Sequence, residues 1–388
     1  MPEVLPSSNP EKNAPSRFQQ GLGRALAALG GTSSGMALIL LISLGAAALL
    51  IFLLSAEPAK TLGLFFLGPL RNRYYLGNML NSGVPLIFGG LGVSVALQGG
   101  NYNLGGEGQI YGGAFVSTLC ALALAPLGWV GAAAALLAGS CAAGLVAAFS
   151  GFCRVRWNTN ELITSFLVSN MLILAVNYLI TGPFLDPETN LQSTRKIPES
   201  FRLPRILPPS SLSTALFLAL LAALAVWFFL YRTRPGYEIR ITGYNAMFVR
   251  YGGVSESLTR ILAMFLSGAL CGLGGGLAVY GTYYAAMKEF SAGLGWNSIA
   301  VALIARAKPA LVIPSALFFA WIGAGARMAM QFSGVTVEIA SIVQATVFFL
   351  VTSAVLLNFR AAPKPGRNTK PRAGRKPGPG AFRRGGGL

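Results

Sequence analysis

The stretch L-S-T-A-L-F-L-A-L-L-A-A-L-A-V-W-F-F-L-Y, residues 212–231, holds no charged side chain. A helix rises 1.5 Å per residue, so a run of this length matches the ~30 Å hydrocarbon core of a bilayer. Working outward, similar apolar runs recur at 35–54, 76–97, 105–125, 129–150, 161–181, 261–284, 290–305, 310–331 and 338–357. The run at 290–305 is short. Of the 388 residues, 54% are hydrophobic and 11% charged, against roughly 25% charged in an ordinary soluble domain. Too few charged groups exist to cover a soluble surface. The expected fold is all-α: a polytopic membrane protein with about ten transmembrane helices.

The composition also excludes chemistry. The chain has no His, so it has no histidine base, histidine triad or histidine metal site. Cys120, Cys141, Cys153 and Cys271 lie in or beside apolar runs without CxxC spacing, which reads as inert buried thiols. No Gly-Lys-Ser/Thr occurs, so no phosphate-cradling P-loop is present, and ATP would have to be bound by another subunit. No cofactor and no metal are expected.

An even number of crossings places both termini on one side. Lys and Arg favour the cytoplasmic side of short loops. With the N-terminus inside, the inner segments include 151–160 with Arg154 and Arg156, the basic loop 232–260, and 306–309 with Arg306 and Lys308. The outer loop 182–211 mixes bases with Asp186, Glu188 and Glu199. This favours N-in and C-in. Residues 1–34 read as a polar cytoplasmic leader with little fold of its own, 35–360 as the membrane domain, and 361–388 as a cytoplasmic tail. The net charge is +18, and the tail carries eight Lys and Arg with no acid. A Gly/Pro/Arg segment cannot bury a core. Nucleic acid would attract it, but anionic inner-leaflet lipid is the preferred partner.

Polar residues punctuate the apolar runs in a few places. The glycine-rich segment Gln98–Gly113 joins two runs and carries Asn103, Glu107 and Gln109. Non-helical backbone at membrane depth needs protein or water to satisfy it. Glu107 stands at a helix start, where its carboxylate meets free amides; it serves as a structural cap or as part of a polar gate. Asn158 followed by Glu161 matches a capping box. Asn170 and Asn177 share one helical face, as helix–helix glue or as the lining of an aqueous path. Gly268, Gly272 and Gly276, four apart, predict close helix packing. Lys288 and Glu289 read as a self-paired ion pair. Trp296 and Asn297 are suited to stack and hydrogen-bond a planar ligand, or to anchor at the interface. In the inner loop, a short helix parallel to the membrane is expected around Asn245–Tyr251.

Three of these segments together resemble the permease subunits of bacterial ATP-binding-cassette importers, in the branched-chain amino acid, ribose and nucleoside superfamily. N-Y-N-L-G-G-E-G-Q at 101–109 is similar to the N-x-G-x-E-G-Q element of its nucleoside and simple-sugar branch. N-E-L-I-T-S-F-L-V-S-N at 160–170 resembles that branch's N-E-(V/I)-I-x-T-x-(M/L)-x-N stretch. R-T-R-P-G-Y-E-I-R-I-T-G-Y-N-A-M-F-V-R-Y-G-G-V at 232–254 resembles T-x-x-G-x-x-x-R-A-x-G-x-N-x-x-A-A-x-x-x-G-I, with Ile241 and Met247–Phe248 replacing family alanines. W-N-S-I-A-V-A-L at 296–303 matches a further element. Coverage runs from about residue 35 to 360.

The resemblance implies a multi-pass inner-membrane subunit without catalysis of its own. It further implies an ATPase docked on the inner loop through Gly236, Tyr237, Arg240, Gly243, Asn245, Tyr251 and Gly252. A second permease, identical or homologous, and a periplasmic or lipoprotein substrate-binding protein complete the implied assembly. The path would carry a small polar solute: nucleosides first, then simple sugars or riboflavin. Candidate path residues are Asn103, Glu107, Gln109, Glu161, Asn170, Asn177, Trp296 and Asn297. The rival is a secondary transporter driven by an ion gradient, which needs intramembrane carboxylates or broken helices to hold the ion; Glu107 and Glu161 stand near membrane depth.

Overall fold

A computed structural model describes residues 33–334 and a few positions between 336 and 350. The leader up to residue 32 and the basic tail lie outside the described residues, as does most of the run 338–357. Among the described residues the regular elements are helices, apart from two isolated β-bridges. In chain order they are α1 (Ser33–Leu54), α2 (Pro58–Phe66), α3 (Arg73–Gln98), α4 (Gly106–Ala123), α5 (Gly128–Trp157) and α6 (Glu161–Thr181). There follow α7 (Ala215–Arg232), α8 (Arg234–Tyr244), α9 (Ala246–Tyr251), α10 (Glu256–Ala278), α11 (Leu294–Ile304) and α12 (Pro309–Phe332). Helices α3, α5, α6, α7, α10 and α12 are each long and apolar enough to cross a membrane. The run 105–125 folds as α4 and the run 290–305 as the shorter α11, an apolar helix of 11 residues.

Burial separates centre from periphery. In its most apolar window α3 is 83% buried, α6 only 22%. α3 can sit centrally because glycine lines it: a Cβ at Gly90 would strike Val301 and Val312, and one at Gly92 would strike the Ser267 carbonyl. α10 packs beside it. Its predicted glycine stripe faces α5, where a Cβ at Gly268 would collide with the Ala143 carbonyl and one at Gly272 with the Ala143 side chain. These backbones approach as closely as small-residue interfaces allow. α6 and α7 turn Leu167, Met171, Leu174, Leu221 and Leu224 outward, as lipid contact requires.

Local chemistry departs from expectation at three points. Asn158 is not the cap of α6; it closes α5 in a left-handed conformation (φ 52°), while Asn160 caps α6 by accepting from the Leu162 amide at 3.0 Å. The inner loop holds two helices, not one, because Thr233 accepts from Gly236 N and Pro235 occupies the first turn of α8. Lys288 and Glu289 do not form an ion pair among the described residues; Glu289 is engaged by Asn177. The segment between α6 and α7 lies back over the stretch after α10 through Thr194 N–Ala286 O (3.0 Å), Ile197 N–Tyr284 O (2.8 Å) and Leu203 N–Tyr280 O (3.0 Å).

Candidate functional site

The elbow between α3 and α4 is built from amides. Gly100 takes φ +69°, and Asn101 N returns to Ala96 O at 3.0 Å. Asn103 and Gln109, both buried, pair with each other at 2.8 and 3.0 Å, and Asn103 also donates to Ser267 Oγ on α10 at 2.9 Å. The Glu107 carboxylate accepts from Gly293 N at 2.9 Å and Gly295 N at 2.7 Å. It therefore caps α11, which has no side-chain cap of its own. Below the elbow, Glu161 pairs with Arg154, whose guanidinium also reaches Gly100 O and Asn101 Oδ1 at 3.2 Å. Arg260 meets the same two oxygens at 3.3 and 3.2 Å and binds Glu256, which also holds Arg250 of α9.

Asn177 accepts from the Tyr111 hydroxyl at 2.6 Å and donates to Glu289 at 3.3 Å. Asn170, on the same helix, is exposed and donates to its own Phe166 carbonyl at 2.8 Å. Trp296 is 42% exposed, with its ring 6.0 Å from that of Phe166.

The loop residues divide into those that hold its shape and those that project. Gly236 meets the Phe229 carbonyl and Gly243 meets the Gln98 carbonyl so closely that neither has room for a Cβ. Arg240 folds back onto α7, donating to Leu230 O at 2.9 Å and lying 4.7 Å over the Tyr231 ring. Asn245 caps α9 with two bonds of 3.1 Å, and Gly252 ends it. Tyr237, Tyr244, Met247, Phe248 and Tyr251 are exposed, Tyr244 and Tyr251 almost completely.

At the other end of α3 lies a cavity of about 400 Å³. Asn78 and Asn81 of α3, Ser211 of the loop before α7, Thr282 and Tyr283 after α10, Asn297 of α11 and Arg327 of α12 line it, with no carboxylate among the lining residues. Asn81 donates to Thr282 Oγ1 (2.8 Å) and Ser211 Oγ (3.3 Å), while Asn78 accepts from Ser211 N and Oγ at 2.9 and 2.8 Å. These two amides brace the walls. The Asn297 amide, the Tyr283 hydroxyl and the Arg327 guanidinium make no hydrogen bond or ion pair with another described residue. The 17 residues from Asn81 to Gln98 place this chamber about 25 Å from the α8–α9 end.

Of the sequence-based path candidates, Asn297 lines the cavity; the other seven lie at the elbow, at Glu289 or on an outer face. Sequence reading missed Asn78, Asn81, Tyr283 and Arg327. Arg327 carried a usable signal: a lone charge inside the apolar run 310–331, where ionisable residues mark pathways.

Over residues 75–352 the chain matches the family described as branched-chain amino acid transport system / permease component. It is 35% identical to a probable riboflavin import permease of Treponema pallidum over 304 residues, 78% of this chain and 81% of the relative. A glucose ABC transporter permease of Haloferax volcanii is 31% identical over 325 residues, covering 79% and 84% of the two chains. A guanosine ABC transporter permease of Bacillus subtilis is 29% identical over 326 residues, covering 82% and 93%. No solved structure matches. The chain thus belongs to the branched-chain amino acid transport system permease family, as a multi-pass subunit of an ABC transporter in the bacterial inner membrane that is not an enzyme, its ATPase being a separate subunit.

Proposed function

We propose that this chain forms the translocation path of an ATP-driven importer for a small polar solute. The relatives named for guanosine, glucose and riboflavin leave nucleosides, simple sugars and riboflavin as the solute classes to test. The observation that carries the reading is the cavity beside Arg327: it is lined by polar and apolar groups together, is of solute size, and holds a cation with no carboxylate. Such a chamber repels Na⁺ and H⁺, which an ion-coupled carrier must hold. Energy instead enters as differential binding, when ATP shifts two packings of the permease.

In this reading about ten spans place both termini in the cytoplasm. The ATPase docks on the 232–260 loop through Tyr237 and Tyr251, with the neighbouring exposed Tyr244, Met247 and Phe248. Gly236, Arg240, Gly243, Asn245 and Gly252 keep that loop in shape. A second permease copy or a homologous one faces this chain across the path. A substrate-binding protein delivers the solute, and the basic tail lies on anionic lipid. The experiment is uptake of labelled guanosine, riboflavin and glucose into proteoliposomes holding the complete transporter. ATP-dependent uptake without an ion gradient is expected; uptake on a Na⁺ or H⁺ gradient without ATP overturns the proposal.

A further inference from the structure

The cavity's free polar groups narrow the solute class, on the premise that the path runs through this chamber. We infer that Arg327 and Asn297 read the acceptor edge of an uncharged planar nitrogen heterocycle, a carbonyl oxygen beside a ring nitrogen, lying against Tyr283. Four observations support this. First, Arg327 is a cation in an apolar helix, and no ion pair or hydrogen bond from a described residue compensates it. Its side chain is exposed on the cavity lining, so its donors are open to an acceptor-bearing ligand. Its planar fork fits two coplanar acceptors, which a carbonyl–ring-nitrogen edge supplies and a sugar's staggered hydroxyls do not.

Second, the braced amides of Asn78 and Asn81 are consumed by Ser211 and Thr282, whereas the Asn297 amide is free to donate and accept as a heterocycle's edge demands. Third, the wall beside Arg327 is aromatic: Tyr283 packs on Phe290 with ring centroids 5.2 Å apart at 58°, leaving a face for a flat ring. Fourth, the lining holds no carboxylate to bind the hydroxyls of a polyol bidentately or to attract a cationic solute.

The test uses the complete transporter in proteoliposomes with ATP, and labelled guanosine, riboflavin and glucose as probes. Variants are Arg327→Lys, which keeps the charge and loses the fork, and Asn297→Ala. Co-purification of the ATPase and a normal elution profile in detergent establish that each variant is assembled; should Arg327→Lys fail, Asn297→Ala carries the test. The expected result is uptake of guanosine or riboflavin by the parent protein, reduced about tenfold or more in Arg327→Lys and severalfold in Asn297→Ala. Heterocycle uptake unchanged within about twofold in the assembled variants, transport of glucose in preference to both heterocycles, or transport of none of the three overturns the inference. ATP-driven glucose uptake leaves the importer reading standing while sinking this one, whereas gradient-driven uptake without ATP removes both.

Discussion

Glu107 belongs to α4 and serves α11. Its two oxygens take the Gly293 and Gly295 amides at 2.9 and 2.7 Å, at the end of α11 where unpaired amides and the helix dipole favour a negative charge. Gly295 has no alternative residue, because a Cβ there would strike the Glu107 backbone. Glu107→Gln retains the shape but turns an NH₂ toward a backbone N–H and removes the charge. It should lose about 1–2 kcal/mol, and Glu107→Ala more, since two amides are then left bare. Thermal unfolding of the detergent-purified protein should rank parent above Gln above Ala; equal melting of parent and Gln shows that the charge contributes nothing. The sequence revealed a carboxylate beside free amides, but not which amides, since the partners lie 186 and 188 residues onward. Arg327 was missed for a different reason: one charge averages away in a hydropathy window, although its place in a span, open to the cavity, is the informative fact.

At the scale of elements, the α8–α9 hairpin shows why a residue's exposure matters more than its place in a motif. Gly243 lies against the Gln98 carbonyl and Gly100, so a side chain there pushes the hairpin away from the α3–α4 elbow. Gly243→Ala should cost about 1–3 kcal/mol through overpacking and disturb the permease itself. Tyr244 and Tyr251, 89% and 87% exposed, touch little. Replacing both with Asp should leave the melting temperature close to the parent's and lower ATP-coupled uptake about tenfold, by placing charge in a docking surface. Unchanged uptake by the double variant removes the hairpin from the coupling assignment. Helix positions were legible from apolar run length, and the α10 glycine stripe from its spacing. The first helix of the hairpin, α8, was not: Gly236 and Gly243 look like helix breakers until their close contacts with α7 and the elbow are known.

Across the described residues of the whole molecule, the arginine-braced elbow and the cavity lie at opposite ends of α3, with Arg71, Arg73 and Arg327 at the cavity end. Arg154, Arg240, Arg250, Arg260, Arg306 and Lys308 gather around the elbow and the hairpin, with Glu161 and Glu256 neutralising part of them. The chamber opens about 25 Å away, under the segment joining α6 to α7. Lys and Arg stay on the cytoplasmic side because moving them outward across the membrane opposes the potential. In the proposed orientation the hairpin end faces the cytoplasm and the chamber the outside, where a binding protein would deliver solute. The assignment is open to direct measurement. In a chain whose Cys120, Cys141, Cys153 and Cys271 are replaced, a single cysteine at Glu188 or at Tyr251 is offered to a membrane-impermeant maleimide. Glu188→Cys should react in intact cells, and Tyr251→Cys only after the cells are opened. The reverse pattern inverts the molecule, puts the aromatic hairpin out of an ATPase's reach, and brings down the proposed direction of transport with it.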